Sequence, residues 1–221
     1  MTRMHKGKLE EELFSQYDFI IGVDEVGRGC IAGETCAAAV IINLENFRKL
    51  KPKERNLIRD SKLLSRGQRE KLVPVLCEKI CLHFAIESSP VEDIDEIGIQ
   101  KAIFSAMRKA IFKILQDRNC SRVVVLVDGH LKIPELKHEF IHIEQRPIVK
   151  GDQICFCIAA ASILAKVARD QVMINAAKQY PQFGFESHVG YGTRQHLTAL
   201  KDFGPTPLHR KSFAPVACYI N

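Results

Sequence analysis

Two adjacent carboxylates stand at the end of an apolar run near the start of the chain. Asp24 and Glu25 follow the residues FIIGV, and the segment Gly27-Arg28-Gly29 comes almost immediately after them. A third carboxylate, Asp128, follows the apolar run RVVVLV and precedes a glycine. If the two runs are neighbouring parallel strands, Asp24 and Asp128 emerge together at the carboxyl edge of the sheet, where ligands bind in open α/β sheets.

A fourth carboxylate lies on the segment AAASILAKVARD, which has the composition of a mostly buried helix. At about 100° per residue, one quadrant of this helix carries Ser162, Lys166, Arg169 and Asp170. This polar stripe can face the same crevice as the strand-end carboxylates.

Each acid also has an ordinary structural explanation. Asp24 or Asp128 could cap a turn, and Asp170 could pair with Lys166 one helical turn away. Carboxylates from separate segments that converge are different, because like charges at short range repel unless cations neutralise them. An all-oxygen ligand set points to Mg²⁺ or Mn²⁺ rather than zinc.

Glu25 needs one further condition to join this site. Successive side chains of a strand point to opposite faces, so Glu25 can accompany Asp24 only if the strand bends directly after Asp24. Gly27 and Gly29 permit such a bend.

The elements that must position these residues follow from periodicity. Short apolar or alternating runs predict strands at 19–24, 35–42, 80–87, 122–127 and 140–145. Helical patterns cover 65–79, with Ser65 as a possible N-cap, and 98–116, 153–179 and 193–203. Hairpin-like strands followed by strands alternating with helices predict an α/β architecture, a mixed sheet with helices packed on it.

Composition sets limits on the class of protein. The 221 residues are 46% apolar, which suits one substantial core, and a net charge of +6 suits a polyanionic partner without establishing one. The eight cysteines show no paired C-x-x-C spacing, so we expect buried free thiols in a reducing cytoplasm. We expect His188, His196 and His209 to be structural, since their spacing matches no zinc pattern. No signal-peptide core and no run of about 18 apolar residues is present, so neither export nor membrane insertion is predicted.

Several ordered motifs together resemble bacterial ribonuclease HII. They are GVDEVGRG (22–29), DSKLLS (60–65), VDG (127–129), KGD with IAAASILAKVARD (within 150–170), and GYGT with GPTPLHRKSF (within 190–213). The resemblance implies an RNase H-like fold, with a mixed five-stranded sheet flanked by helices and a small C-terminal helical lobe over about 190–221. We divide the chain into an N-terminal extension, 1–17, and a single catalytic domain, 18–221.

The resemblance also implies roles for individual residues. The catalytic and metal-binding residues would be Asp24, Glu25, Asp128 and Asp170, holding two divalent ions, Mg²⁺ or Mn²⁺. The substrate-binding residues would be Gly27, Arg28 and Gly29 at the ribose, Lys62 and Lys166 at phosphates, and Tyr191 at the following sugar. Arg169 would either contact a phosphate or lie exposed on the surface. The implied substrates are RNA/DNA hybrids and duplex DNA with embedded single ribonucleotides.

The chain departs from the family pattern after the Gly-Arg-Gly segment. Cys30 and Glu34 stand where the family usually has proline, so the loop could be less rigid and one more negative charge lies nearby. Two other functions stay open, a metal-dependent nuclease of the junction-resolvase type and a non-catalytic binder of hybrid duplexes. We expect a monomer, and the sequence does not show whether a sliding clamp is a partner.

Overall fold

The computed structural model describes residues 7–50, 57–58, 61–116 and 118–220. Short 3₁₀ turns lie at Ser61–Leu63 and Pro181–Phe183, and one π-helical turn lies at Leu76–Ile80. In chain order the helices and strands are α1 (Lys8–Leu13), β1 (Phe19–Val26), β2 (Thr35–Ile42), α2 (Leu44–Lys49), α3 (Arg66–Val75), β3 (Cys81–Ser89), α4 (Val91–Ile97), α5 (Ile99–Leu115), β4 (Arg122–Asp128), β5 (His142–Ile148), α6 (Gly151–Ile154), α7 (Phe156–Gln179), α8 (Phe185–His188), α9 (Arg194–Phe203) and α10 (Ala214–Ala217).

The strands form one five-stranded mixed sheet in the order β3-β2-β1-β4-β5. The first three strands pair antiparallel, while β4 pairs parallel with both β1 and β5. The register places Val23 of β1 beside Val127 of β4. The residues that follow these two, Asp24 and Asp128, therefore sit side by side at the carboxyl edge, as the sequence predicts.

Helices cover both faces of the sheet, and strand alternation decides which residues each helix meets. Ile20 and Val124 point to the face that α7 covers, whereas Ile21 and Val125 point to the face covered by α5. The α7 face is tight because β1 carries a glycine there. A Cβ atom on Gly22 would lie 2.3 Å from the Cys157 carbonyl carbon.

The first helix belongs to the same core. Leu13 of α1 is buried against the α7 side of the sheet, and the Glu10 carboxylate accepts hydrogen bonds from the main-chain N–H groups of Phe156 (2.6 Å) and Cys157 (3.0 Å). Glu10 thus caps the N-terminus of α7 from a distant part of the chain, since the first N–H groups of a helix have no partner within it. The domain boundary between residues 17 and 18 stays a prediction.

The chain after α7 packs beside the main sheet. Phe183 and Phe185 are buried and stacked, with ring centroids 5.4 Å apart, and they cover Met173 of α7. A second small cluster joins Leu200 of α9 to Val216 of α10. All eight cysteines are free, but only four are buried. Among the described residues, no helix has the length and apolar character needed to cross a membrane.

Most predicted elements are found within a few residues of their expected bounds. Ser65 caps α3 as predicted, and its hydroxyl and the Gln68 side chain form a reciprocal capping box. The predicted helix 153–179 is instead divided into α6 and α7, because Cys155 between them has an extended backbone. Part of the DSKLLS motif, Asp60, lies outside the described residues.

Candidate active site

Two aspartates form the centre of the site. Asp24 is 6% exposed, and the pKa of its carboxyl is raised well above the ordinary value, first by burial and then by the charges of Glu25 and Asp128. The Glu25 main-chain N–H (2.7 Å) and the Ser162 hydroxyl bond to Asp24 and oppose that shift. Asp128 accepts a 2.7 Å hydrogen bond from the Gly151 N–H. A buried carboxylate beside a second, half-buried one favours a bound cation.

Glu25 lies on the other side of the strand. The bend directly after Asp24 that Glu25 needs in order to accompany it is absent, because β1 continues through Val26, so alternation directs Glu25 toward α5. There Glu25 accepts a 2.9 Å hydrogen bond from Arg28 Nε, and Arg28 Nη1 donates to Gln100 Oε1 at 2.6 Å. The chain turns only at Gly27, whose φ of 97° is in the left-handed region.

Asp170 belongs to a polar row along α7. Lys166 Nζ lies 2.8 Å from one of its carboxylate oxygens and Arg69 Nη2 lies 3.5 Å from the other. Ser162, two turns before Asp170, contacts both Asp24 and the Ser61 hydroxyl, the latter at 2.8 Å. The row therefore faces Asp24 at Ser162, and Asp170 lies on the same row, paired with two cationic side chains.

Arg169 does not belong to this row. The sequence suggested a phosphate contact or an exposed position, and both interpretations are wrong, because the side chain is fully buried. Its guanidinium donates to the carbonyl oxygens of Ala32 (3.0 Å), Glu34 (2.9 Å) and Val189 (2.9 Å). The 100° that separates it from Asp170 on the helix is enough to direct it toward the loop after β1.

A second buried arginine, which the sequence analysis did not single out, holds the same loop. Arg210 donates to the carbonyl oxygens of Arg28 (3.2 Å), Gly33 (2.9 Å) and Glu34 (3.3 Å). Burial lowers its pKa to about 10, so it stays charged at neutral pH. A Cβ atom on Gly27 would lie 2.4 Å from Arg169 Nε. Glycine is therefore required at position 27, because the loop packs directly on the buried Arg169 guanidinium.

The side chain of Glu34 faces away from this loop contact. Its carboxylate accepts hydrogen bonds from the Cys36 thiol (3.2 Å) and the Ser88 hydroxyl (3.0 Å). Cys30 is buried, and its thiol lies 3.7 Å from the Val189 carbonyl oxygen. The effect of Cys30 and Glu34 on loop rigidity stays a prediction.

Two further predicted contact residues border the site. Tyr191 is 41% exposed, pairs through its main chain with Cys30, and places its ring 5.6 Å from Lys166 Nζ. Lys62 is exposed on the short turn whose first residue, Ser61, bonds to Ser162. The turn that carries Lys62 and the Tyr191 ring therefore both lie near α7, with Tyr191 joining the Gly-Arg-Gly loop to the row that contains Asp170.

The donor set is suited to a hard divalent cation. Carboxylate oxygens are the ligands that Mg²⁺ and Mn²⁺ prefer, and the raised pKa of Asp24 marks a buried negative charge that a cation would stabilise. In the part of the chain that the structure describes, no group of three or more His, Cys, Asp or Glu residues is placed to hold an ion. Asp24 and Asp128 have the right chemistry and lie side by side, whereas Glu25 and Asp170 are engaged by basic side chains.

Comparisons with known proteins find matches over most of the chain. The model of the family described as Ribonuclease HII matches residues 21–216. Ribonuclease HII of Fusobacterium nucleatum subsp. nucleatum is 44% identical over 199 residues, which cover 90% of this chain and 86% of that protein.

Solved structures match the fold. The crystal structure of ribonuclease H2 from Pyrococcus horikoshii OT3 superposes with a TM-score of 0.72 at 24% identity, covering 91% of this chain and 96% of that one. Bst-RNase HIII in complex with Mn²⁺ superposes with a TM-score of 0.67 at 16% identity, covering 90% of this chain and 68% of that one. The mixed sheet and its flanking helices are thus those of the RNase H-like fold.

Proposed function

The chain belongs to the ribonuclease HII family and is therefore a ribonuclease H, and on that premise we propose that it incises duplex DNA on the 5′ side of a single embedded ribonucleotide as well as cutting RNA/DNA hybrids. The observation that carries the proposal is the position of Asp24 and Asp128. They are adjacent carboxylates at the ends of parallel strands, directly beside a loop with a close-packed, arginine-supported backbone.

Asp24 and Asp128 would hold Mg²⁺ or Mn²⁺, with Glu25 and Asp170 completing the ligand set of two ions. The Mn²⁺ complex of the related RNase HIII supports a divalent metal, and the all-carboxylate donor set supports it independently. When bound, such ions would activate the attacking water and stabilise the charge on the leaving O3′ atom, and the products would carry a 3′-hydroxyl and a 5′-phosphate.

The basic side chains around Asp170 hold that carboxylate in one orientation. Lys166 and Arg69 each contact one of its oxygens, so Asp170 points in a fixed direction before any cation binds. Ser162 does the same for Asp24 from the preceding part of α7. The helix therefore fixes two of the acids relative to each other.

The loop from Gly27 to Gly29 is the proposed reader of the ribose. Arg210 and Arg169 draw the carbonyl groups of residues 28, 32, 33 and 34 inward, which sets the loop backbone from behind. No atom lies within 4 Å of a Cβ built on Gly29, so a sugar can approach its backbone closely. The 2′-hydroxyl is the group that distinguishes RNA from DNA, and main-chain donors and acceptors can bind it.

Tyr191 and the basic side chains would complete the substrate contacts. The half-exposed Tyr191 ring is placed to pack on the deoxyribose that follows the ribonucleotide, while Arg28, Lys62 and Lys166 contact phosphates without reading sequence. With the ribose at the loop and the next sugar at Tyr191, the acids stand over the phosphate on the 5′ side of the ribonucleotide.

Variants of Tyr191 test the substrate assignment. Tyr191→Ala should lose most activity on a duplex with one ribonucleotide, since a stacking surface contributes about 1 to 3 kcal/mol, whereas Tyr191→Phe keeps the ring and should lose less. Cleavage rates are measured with Mg²⁺ and again in EDTA, with an all-DNA duplex as control. Equal losses for the two variants would contradict a role of the ring.

A DNA junction as a second substrate, and a measurement of duplex binding in EDTA, separate the two other functions that the sequence leaves open. A nuclease of the junction-resolvase type would cut a DNA junction that contains no ribonucleotide. A non-catalytic binder would retain its hybrid duplex in EDTA and cut nothing when Mg²⁺ is restored.

A further inference from the structure

Three buried histidines surround the main chain of Tyr191. His196 and His209 are fully buried and His188 nearly so, and the His188 and His196 rings stack with centroids 4.5 Å apart. The sequence predicts structural histidines here, and the contacts confirm it. The hydrogen bonds also fix which ring nitrogen carries the proton. The His196–His209 pair meets a main-chain N–H donor at one end and a carbonyl acceptor at the other.

The pair forms a continuous chain of hydrogen bonds. The Thr206 main-chain N–H donates to His209 Nδ1 at 2.9 Å, and the Thr206 hydroxyl lies at the same distance from that atom. His209 Nε2 lies 3.0 Å from His196 Nε2. His196 Nδ1 in turn lies 2.9 Å from the carbonyl oxygen of Tyr191.

The chemistry of the two ends fixes the position of each ring proton. A main-chain N–H can only donate, so His209 Nδ1 carries no proton, and a carbonyl can only accept, so His196 Nδ1 carries one. A neutral imidazole has a single N–H, which places the His209 proton on Nε2 and leaves His196 Nε2 as an acceptor. The central bond therefore runs from His209 to His196, and the two independent ends agree on that direction.

Both rings must be neutral for this chain to form. A second proton on either ring would put two N–H groups face to face in the central bond or aim one at the Thr206 N–H. Burial keeps them neutral, since it lowers the pKa of each to about 4.

We propose that His196 and His209 are positioning residues. With one fixed tautomer each, they form a chain of hydrogen bonds, a relay, that holds the Tyr191 main chain and so aims its ring at the substrate. The Tyr191 carbonyl accepts from His196 and also from the Thr193 N–H (2.8 Å), while its own N–H donates to the His188 carbonyl (3.0 Å). With both flanking peptides fixed, the direction of the Tyr191 side chain is fixed as well. The substrate-facing half of this inference, that the Tyr191 ring meets the substrate, rests on the proposed function, whereas the hydrogen-bond relay does not.

The tautomers are tested by ¹⁵N NMR of the histidine rings in the labelled full-length protein at neutral pH. We expect a single tautomer for each ring, with the proton on Nδ1 of His196 and on Nε2 of His209. A proton on Nε2 of His196, or averaging between tautomers, would overturn the relay whatever the protein cuts.

The positioning role is tested with two substitutions at one site. His209→Met removes the donor to His196, while His209→Gln keeps an N–H near the position of Nε2. On a single-ribonucleotide duplex we expect kcat to fall about tenfold for His209→Met, with a smaller change in KM, because small misplacements of a positioning group slow the chemical step. His209→Gln should restore most of the loss.

Leu200→Ala is the matched control for simple loss of stability. Leu200 is buried in the same lobe without bonding to the relay, so its truncation leaves a cavity and lowers the free energy of unfolding while kcat stays near the wild-type value. Wild-type kcat in His209→Met, or an equal fall in Leu200→Ala, would overturn the positioning role. Predicted tautomers in a wild-type protein that cuts no single-ribonucleotide duplex would instead contradict the proposed function and the substrate-facing half.

Discussion

Replacing Gly22 by alanine should separate the two elements that carry the acids. A Cβ atom at this position would lie 2.3 Å from the Cys157 carbonyl carbon and 2.5 Å from the Ile158 nitrogen, both main-chain atoms of α7. A flexible side chain could move aside, but a helix backbone cannot. The helix and β1 must therefore separate by roughly 1 Å before the contact becomes an ordinary van der Waals distance.

Both stability and activity should report this separation. Overpacking of a core typically costs about 1 to 3 kcal/mol, and we expect the upper end because main chain is involved. Since β1 carries Asp24 and α7 carries Asp170, a shift of roughly 1 Å between them should lower kcat by up to about 100-fold, with a smaller effect on KM. Urea unfolding followed by circular dichroism gives the first quantity, and single-turnover cleavage of a hybrid duplex gives the second.

Gly67→Ala is the matched control, the same substitution at a position where the new Cβ atom contacts no other atom. No atom lies within 4 Å of a Cβ built at this position, which is exposed near the start of α3. Alanine there should leave kcat unchanged and raise stability by a few tenths to about 1 kcal/mol, since it forms helix more readily. Wild-type stability and activity in Gly22→Ala would refute the close helix–strand packing on which the site geometry depends.

Three further predictions concern buried titratable groups. Asp24→Asn should abolish most cleavage yet unfold at a higher urea concentration than the wild type in EDTA. Burial and like charges raise the pKa of Asp24, and each pKa unit corresponds to about 1.4 kcal/mol, so removing the charge stabilises the fold. An unstable variant that still cleaves would contradict this. Glu10→Ala should lower the free energy of unfolding by about 1 to 2 kcal/mol through loss of the α7 cap, whereas Glu10→Gln keeps an acceptor and should cost less in the same urea titration. The pKa values of His196 and His209 fall to about 4 from an unfolded value of about 6.5, so the unfolded state binds more protons between these values and stability should drop as pH falls through that window. Thermal melts should show a shallower pH dependence in His209→Gln, where one relay histidine remains.

Much of the framework could be predicted because it depends on local periodicity. The apolar runs of β1 and β4 specify strands, and a parallel arrangement of the two is enough to bring Asp24 and Asp128 together. The polar row on α7 follows from helical geometry in the same way. These features need only the repeat of a strand or a helix and one assumption about which strands are neighbours.

The remaining features depend on contacts between distant segments. Arg169 sits within a predicted polar quadrant, but its position is decided by carbonyl groups of a loop more than a hundred residues earlier. Arg210 and Glu10 likewise find partners far away in sequence, and charged residues give no periodic signal of burial. The bend that would bring Glu25 to the side of Asp24 is absent, because β1 stays paired with β2 through Val26.

The position of incision tests the central claim most directly. A duplex that contains one ribonucleotide, labelled at either end of that strand, is incubated with the protein and Mg²⁺, and both fragments are mapped on a sequencing gel. We predict one cut on the 5′ side of the ribonucleotide, which leaves it at the 5′ end of the downstream fragment with a 5′-phosphate, and no cut in the all-DNA control. Incision on the 3′ side, or equal cleavage of the control, would contradict the roles given to the Gly-Arg-Gly loop and Tyr191.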